Sequence, residues 1–270
     1  MILINCVEPQ KSFPMMKSLI TILSLFILIC LLSLTTTRAT PTYLYTECPN
    51  TTTYTPNSPY QSNLNTLLSV LSSKSTSING FYNYTVGLKA PDIAYGLFLC
   101  RGDVPTQTCQ ACVATATKEI VQNCPNSKVV TTWYDECMLR YSNKSIFSIS
   151  DQSVRYILVN TENIKDPKRF TNLLGKVMDD VATRASNSVS GKKFATREAD
   201  FSALQTLYGL AQCTPDLTTS DCNTCLRDAI SSFPDCCDGR RGGRVLFPSC
   251  NVRYETYPFY AIPAPPPSSG

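Results

Sequence analysis

The stretch Cys100-Arg-Gly-Asp-Val-Pro-Thr-Gln-Thr-Cys109-Gln-Ala-Cys112 has a cysteine spacing that occurs twice in the chain. The second copy is Cys213-Thr-Pro-Asp-Leu-Thr-Thr-Ser-Asp-Cys222-Asn-Thr-Cys225, and both copies read C-x8-C-x2-C. Further residues match at the same offset, namely Cys137, Arg140 and Tyr141 with Cys250, Arg253 and Tyr254. A repeated cysteine framework with matching flanks indicates a duplicated module.

The N-terminal segment has the pattern of a secretory signal peptide. Lys17 precedes an apolar run from Leu19 to Leu34, and Thr37-Arg38-Ala39 offers small residues for cleavage. The alternative is a membrane anchor, but a run of about 16 residues is shorter than the roughly 20 that span a bilayer. We therefore predict a signal peptide over 1–39, a secreted, extracellular protein and no membrane span in the mature chain.

Charge and composition exclude several classes of partner. The chain has 24 basic and 20 acidic residues, and loss of Lys11, Lys17, Arg38 and Glu8 with the leader reduces the formal charge from +4 to +2. No basic run stands out, so the sequence does not favour nucleic acid or an anionic membrane surface. Residues 261–270 form a Pro-rich tail that is typical of an extended spacer.

Cysteines and sequons point to the same compartment. Of the 14 cysteines, Cys6 and Cys30 leave with the leader, so that each half keeps an even number. An even count in each repeat of a secreted chain predicts disulfide bonds. Three sequons predict N-glycosylation, at Asn50, Asn83 and Asn143.

Apolar periodicity predicts the same elements in both halves, with modules over 42–150 and 152–260. Helical spacing occurs over 60–73 and 108–122 in the first half, and over 170–181 and 220–231, with Ser220 as N-cap, in the second. Strand-like segments are predicted over 43–46, 81–86, 129–133, 136–141, 146–149, 154–159, 193–196, 243–247 and 251–254. The fold class is α+β, with two disulfide-linked modules that each pack two helices on an antiparallel sheet.

The sequence offers no catalytic constellation. The chain has no histidine, which excludes Ser-His-Asp and Cys-His catalysis and histidine-based zinc sites. No phosphate-binding glycine loop occurs. The Cys109/Cys112 and Cys222/Cys225 pairs would suit a four-thiolate zinc site or thioredoxin-like chemistry in a reducing compartment, but a secreted chain favours structural disulfides. We predict no enzyme activity, no cofactor and no metal.

Cys236 and Cys237 are adjacent, so they either bond to each other or pair elsewhere. Strained, exposed disulfides are the labile ones. A thiol or redox sensor at this pair is therefore a third hypothesis for function.

The C-x8-C-x2-C motif, followed by Cys137 in Trp133–Tyr141 or by Cys250 in Gly242–Glu255, resembles the ginkbilobin-2-homologous, or stress-antifungal, domain of land plants. Two copies behind a signal peptide are similar to plant cysteine-rich repeat secretory proteins. The resemblance implies Cys48–Cys124, Cys100–Cys109 and Cys112–Cys137, then Cys213–Cys222 and Cys225–Cys250. The counterpart of Cys48 would lie near Thr161, where no cysteine occurs, which leaves Cys236 and Cys237 for each other.

The founding member of that family binds mannose and inhibits fungi. Its sugar site uses an Asn directly after the first cysteine, an Arg six residues before the last cysteine and a Glu five residues after the last cysteine. The resemblance places the last two at Arg244 and Glu255, whereas the first module has Pro49, Thr131 and Ser142. Arginine donors and a carboxylate can bracket sugar hydroxyls. The alternative is an ion pair between Arg244 and Glu255 that joins two strands.

The sequence thus favours a secreted, non-enzymatic binding or signalling protein of the apoplast, linked to stress or defence. Its partner would be an extracellular glycan or a protein, with a receptor ectodomain among the candidates. A mannose-binding, lectin-like antifungal protein is the alternative.

Overall fold

The computed structural model describes residues 40–49, 52–77 and 79–261. The predicted signal peptide, Asn50 and residues 262–270 of the tail lie outside them. The first half forms a five-stranded antiparallel sheet in the order β1-β4-β5-β3-β2, with two helices. Its elements are β1 (Tyr43–Glu47), α1 (Pro59–Ser73), β2 (Phe81–Val86), β3 (Ala94–Cys100), α2 (Thr106–Asn123), β4 (Val130–Tyr134) and β5 (Cys137–Ser142).

The second half repeats this topology in the order β6-β9-β10-β8-β7. Its elements are β6 (Tyr156–Val159), α3 (Pro167–Ser186), β7 (Phe194–Ser202), β8 (Gln205–Cys213), α4 (Thr219–Ser231), α5 (Phe233–Cys237), β9 (Gly243–Leu246) and β10 (Cys250–Glu255). The predicted α+β class with two tandem modules is confirmed.

The long helices form where capping and periodicity agree. The Ser58 side chain accepts a hydrogen bond from the backbone N–H of Gln61, and Pro59 takes the first turn of α1. The apolar stripe of this helix is buried against the first sheet and consists of Tyr60, Leu64, Leu67, Leu68 and Leu71. In α4 the prediction of Ser220 as N-cap was wrong, because Thr218 accepts the hydrogen bond from the N–H of Asp221.

The structure differs from the sequence-based expectations in three further ways. The strand predicted over 146–149 is absent, since Ser148 adopts a left-handed conformation with φ of 54° and the chain turns there. The apolar segments that lead into Cys100 and Cys213 are central strands, β3 and β8. The second module has a third, short helix, α5, because Pro234 follows Ser232 and Phe233 and the chain begins a new helix there.

The two sheets pack against each other through their outer faces. Side chains alternate along β3, so Phe98 lies among the helices of its own module, whereas Leu97 and Leu99 face the other way. There they join Trp133 of β4 and Leu246 of β9 in one buried apolar cluster. The order of layers is therefore helices, sheet, sheet, helices.

Aromatic stacking adds to this contact between the sheets. The rings of Tyr45 on β1 and Tyr156 on β6 lie parallel with centroids 3.9 Å apart. The contact between these two rings removes apolar area from water, which favours the packing of the sheets.

Disulfide bonds connect the helices to the strands in each module. Five of them join the pairs that the family resemblance implies: Cys48–Cys124, Cys100–Cys109, Cys112–Cys137, Cys213–Cys222 and Cys225–Cys250. The adjacent Cys236 and Cys237, whose pairing the sequence left open, bond to each other within α5. Cys237 occupies the place of Cys124 in the repeat. The second module has no counterpart of Cys48, and Cys237 bonds to Cys236 instead.

Candidate functional site

One carboxylate of the first module accepts hydrogen bonds from two arginines of the second. Asp135 lies in the turn between β4 and β5, where its Oδ1 accepts from Nη1 of Arg244 at 2.6 Å and from Nη1 of Arg253 at 2.9 Å. Its Oδ2 accepts from Nη1 of Arg101 at 2.8 Å. These contacts join β9 and β10 to the first sheet through a network of charge-assisted bonds.

The network continues along β10 to Glu255. Arg253 donates from Nε to Oε1 of Glu255 at 3.1 Å and from Nη2 to the Tyr257 hydroxyl at 3.1 Å. The other carboxylate oxygen of Glu255 accepts from the amide of Asn160 at 3.5 Å. Asn160 follows β6, and its backbone N–H donates to the carbonyl of Gly242 at 2.9 Å, which fixes it beside β9.

These residues line one open cleft of about 350 Å³ between the two modules, which we call the junction cleft. The first module contributes Thr42, Leu44 and Asp135. The second contributes Leu158, Val159, Asn160, Arg244, Arg253, Glu255 and Tyr257. The volume falls at the lower end of the range for small-ligand sites, about 300–1,000 Å³.

The alternative of an ion pair between Arg244 and Glu255 was wrong. Arg244 donates to Asp135, Glu255 pairs with Arg253, and both predicted site residues nevertheless line the same cleft. Arg244 and Arg253 are register partners on β9 and β10, so one carboxylate between them offsets the repulsion of two guanidiniums.

Charge and burial shape the ionisation of this network. Burial raises the pKa of Asp135, but the guanidiniums of Arg244, Arg253 and Arg101 outweigh it and hold that pKa below its ordinary value. Burial lowers the pKa of Arg244 to about 10, and Asp135 opposes that change. The carboxylate is therefore ionised and Arg244 remains cationic at neutral and mildly acidic pH.

Gly242 provides the space that Glu255 occupies. A Cβ at this position would lie 1.8 Å from Oε2 of Glu255, so only glycine leaves the carboxylate where it is. The Glu255 side chain is nearly buried, and a flexible side chain could move away only by leaving its contacts with Arg253 and Asn160.

Sequence reasoning missed most members of the site, Asn160 and Asp135 among them. Asn160 immediately precedes Thr161, the position at which the first cysteine of the second module was expected, and that neighbourhood was the signal that could have identified it. Asp135 had no such signal, because its partners lie more than a hundred residues away in β9 and β10.

The corresponding positions of the first module do not build a similar site. Thr131 lies buried on β4 opposite Glu47 and Arg140, and Ser142 is buried at the end of β5. Arg140, the counterpart of Arg253, donates to Asp151 at 2.6 Å. The predicted sequons at Asn83 and Asn143 lie in β2 and just after β5, and their occupancy stays a prediction.

The Cys236–Cys237 bond lies against the core of the second module. Cys237 is 2% exposed and contacts the Cα side of Gly243, and Cys236 packs against the same apolar cluster. This position does not favour the redox hypothesis, since labile sensor disulfides are exposed.

Among residues 40–49, 52–77 and 79–261, no helix combines the length and hydropathy that a bilayer crossing requires. Within the same part of the chain, no cluster of three or more Cys, Asp or Glu side chains is arranged to hold a metal ion.

Comparison with known proteins identifies relatives of the tandem modules. The profile of the salt stress response/antifungal family matches residues 47–144 and 159–257. Cysteine-rich receptor-like protein kinase 25 of Arabidopsis thaliana is 47% identical over 263 residues, which is 94% of this chain and 38% of the kinase. The chain thus spans under two fifths of the length of that kinase.

A shorter relative and a solved structure cover the repeat itself. The antimicrobial ginkbilobin-2-like protein of Castanea crenata is 44% identical over 217 residues, 80% of this chain and 88% of the relative. The tandem DUF26 ectodomain of the Arabidopsis thaliana cysteine-rich receptor-like protein PDLP8 superposes with a TM-score of 0.70 at 26% identity, over 80% of this chain and 98% of that structure. The chain therefore belongs to the salt stress response/antifungal family and contains two of its domains in tandem.

Proposed function

We propose that this protein is an extracellular, non-enzymatic recognition protein of plant stress or defence, and that the junction cleft binds a glycan. The observation that carries the proposal is the convergence of Asn160, Glu255 and Arg244 in one cleft of about 350 Å³. The resemblance asks for these three residue types at a sugar site. The family's Asn follows the first cysteine, which the second module lacks, and Asn160 supplies the corresponding amide.

The chemistry of the cleft suits a neutral, hydroxyl-rich ligand. The carboxylate of Glu255 accepts hydrogen bonds, the amide of Asn160 both donates and accepts, and Arg253 donates. Leu158 and Val159 add an apolar wall for the C–H face of a ring. Since Asp135 and Glu255 balance Arg244 and Arg253, the cleft selects neither a strong anion nor a strong cation.

Relatives support the setting of this activity. One similar protein is named for antimicrobial action, another is a cysteine-rich receptor-like protein kinase, and the similar solved structure is a receptor-like ectodomain. Six disulfide bonds are consistent with an oxidising compartment, and the predicted signal peptide with secretion. Glycan binding in the apoplast would suit either a free antimicrobial protein or a ligand-sensing partner of a receptor ectodomain.

The test is isothermal titration of the secreted, disulfide-intact protein with mannose and with mannan. We expect saturable binding that Asn160→Ala and Glu255→Gln each weaken about tenfold or more, which corresponds to about 1.4 kcal/mol. The matched control is Asn172→Ala, an exposed asparagine on α3 away from the cleft. Arg244→Ala is less suitable, because it also removes the bond to Asp135.

Two outcomes would contradict the proposal. Equal loss of binding in Asn172→Ala would show that the variants act through general destabilisation. No heat with any glycan would reject the assignment, and a protein partner would then be the alternative ligand.

A further inference from the structure

A second concave site lies in the second module, between α3, α4 and α5, and we call it the helix pocket. It has a volume of about 110 Å³. Its floor is Tyr254, and its walls include Phe170 and Met178 of α3 with Ile230 and Phe233 of the two shorter helices. None of these residues takes part in the junction cleft.

The interior of the helix pocket is apolar and aromatic. The ring of Tyr254 packs edge-on against Phe233 at 5.0 Å and is tilted against Phe170 at 6.0 Å. The Tyr254 hydroxyl points away to the carbonyls of Cys237 and Arg240, at 3.0 and 3.3 Å, so it presents carbon to the pocket. An apolar cavity of about 150 Å³ is large enough for benzene. The helix pocket, at about 110 Å³, is somewhat smaller than that cavity, but its mouth is open, so one aromatic ring can enter with its substituent at the mouth.

The mouth of the pocket carries a carboxylate. Asp238 follows α5, and its Oδ1 accepts a hydrogen bond from the Thr171 hydroxyl at 3.4 Å. The nearest arginine in sequence does not neutralise it, since Nη1 of Arg240 donates to the carbonyl of Thr161 and to Asn163. A carboxylate offers about four acceptor positions, so it can bind a cationic donor besides Thr171.

Gly175 keeps the mouth open. It lies on α3, lines the pocket, and a Cβ there would meet nothing within 4 Å. The repeat places Asn65 at the corresponding position of α1. Glycine in a helix costs about 0.5–1 kcal/mol relative to alanine, and here neither a turn nor close packing requires it.

The first module carries a larger side chain next to the residue that corresponds to Phe170, which is Tyr60. Tyr54 is buried there and packs on Tyr60 with centroids 5.4 Å apart. The second module has Ile164 in that place, as shown by matching backbone bonds, from Tyr54 to Asn126 and from Ile164 to Gly239, both 2.8 Å. The second module, which has the helix pocket, thus lacks both this aromatic ring and the first cysteine.

We propose that the helix pocket binds a small single-ring aromatic amine. The ring would occupy the space between Phe170, Phe233 and Tyr254, and the ammonium group would pair with Asp238. Aromatic walls attract both a ring edge and a nearby cation. This site is independent of the proposed glycan site.

Methionine methyl NMR tests the proposal at the site itself. Met178 lines the pocket, whereas Met138 lies in the buried cluster between the sheets and serves as an internal control. Titration with phenethylamine should shift the Met178 methyl resonance and leave Met138 unchanged. Phenylacetate, which has the same ring and the opposite charge, should bind about tenfold more weakly or worse.

Variants separate the ring from the charge. Gly175→Phe should cover the mouth and abolish the Met178 shift, whereas Gly175→Ala adds one methyl group that meets nothing within 4 Å and should preserve it. Asp238→Asn should bring phenethylamine and phenylacetate to similar affinities. No Met178 shift, equal binding of the two probes to the unaltered protein, or full binding by folded Gly175→Phe would each overturn the proposal.

Discussion

Nη1 of Arg244 in the second module lies 2.6 Å from Oδ1 of Asp135 in the first, and this ion pair joins the two halves of the duplication. Both side chains are largely withdrawn from solvent, with 8% and 25% of their surface exposed. Asp135 is also the common partner of Arg253 and Arg101. The stability of the tandem should therefore depend on one carboxylate.

Removal of this carboxylate should destabilise the whole protein. Asp135→Ala leaves three arginines without their shared partner, and breaking a buried pair costs about 3–5 kcal/mol. Since Asp135 is partly exposed, we expect a loss of about 3 kcal/mol in the free energy of unfolding, measured by denaturant titration. Asp179→Ala, which breaks an exposed pair with Arg227, should cost no more than about 1 kcal/mol. An equal effect of both variants would contradict the role given to Asp135.

Stability should fall in acid, and part of the fall should belong to Asp135. Its pKa is lower in the folded protein than the ordinary value of 3.8, and the same holds for Asp151 beside Ser153 and Arg140. The unfolded chain therefore takes up these protons first as the pH decreases. The contribution is fully present above about pH 5 and is lost as the pH falls through 4 toward the folded pKa.

The measurement is the free energy of unfolding between pH 2 and pH 7. Asp135→Asn should be less stable at pH 7 and should lose less stability on acidification than the unaltered protein. Parallel curves for the two proteins would show that Asp135 titrates alike in the folded and unfolded states.

Gly242→Ala should change the junction cleft more than the fold. The new methyl group would occupy the place of the Glu255 carboxylate and force that side chain away from Asn160 and Arg253. We expect glycan titration to show a loss of affinity close to that of Glu255→Gln. The matched control is Gly175→Ala, where the methyl group meets open space and should raise the free energy of unfolding by about 0.5–1 kcal/mol.

The Cys48–Cys124 bond of the first module and the Cys236–Cys237 bond of the second should contribute different amounts to the free energy of unfolding. Cys48–Cys124 closes 76 positions of chain, and loss of such a loop constraint costs about 4.5 kcal/mol in the entropy model. Cys236–Cys237 closes almost no chain and should contribute far less by this mechanism. Thermal unfolding of the Cys48→Ala/Cys124→Ala and Cys236→Ala/Cys237→Ala variants compares them, and a larger loss in the second pair would contradict this account.

The sequence predicted the architecture because duplication and periodicity are local signals. Every long helix was found within a few residues, since apolar side chains recur on one face and Ser58-Pro59 marks a start. β3 and β8 were not recognised as strands, because central strands are apolar on both faces and lack alternation. The segment over 146–149 resembled a strand, yet Ile146 is buried by the contact between modules.

The candidate site was only partly predictable. Arg244 and Glu255 could be placed because the family resemblance counts its sugar site from the last cysteine, which is Cys250. Asp135 reaches this cleft through the packing of one module on the other, and no sequence spacing encodes that contact. Asn160 lies beside β9 of its own module, next to the position where the first cysteine was expected. The ion pair predicted between Arg244 and Glu255 is absent for the same reason, because Arg244 pairs with Asp135 of the other module.

The packing of sheet on sheet also has a consequence for biosynthesis. The first sheet is complete once Ser142 has been made, but Leu246, which covers its outer face, is added only near the end of the chain. Trp133, Leu97 and Leu99 therefore remain uncovered while the ribosome completes the second module. During that interval the nascent chain exposes an apolar surface of the kind that promotes aggregation, so we expect the second module to protect the first as soon as it folds.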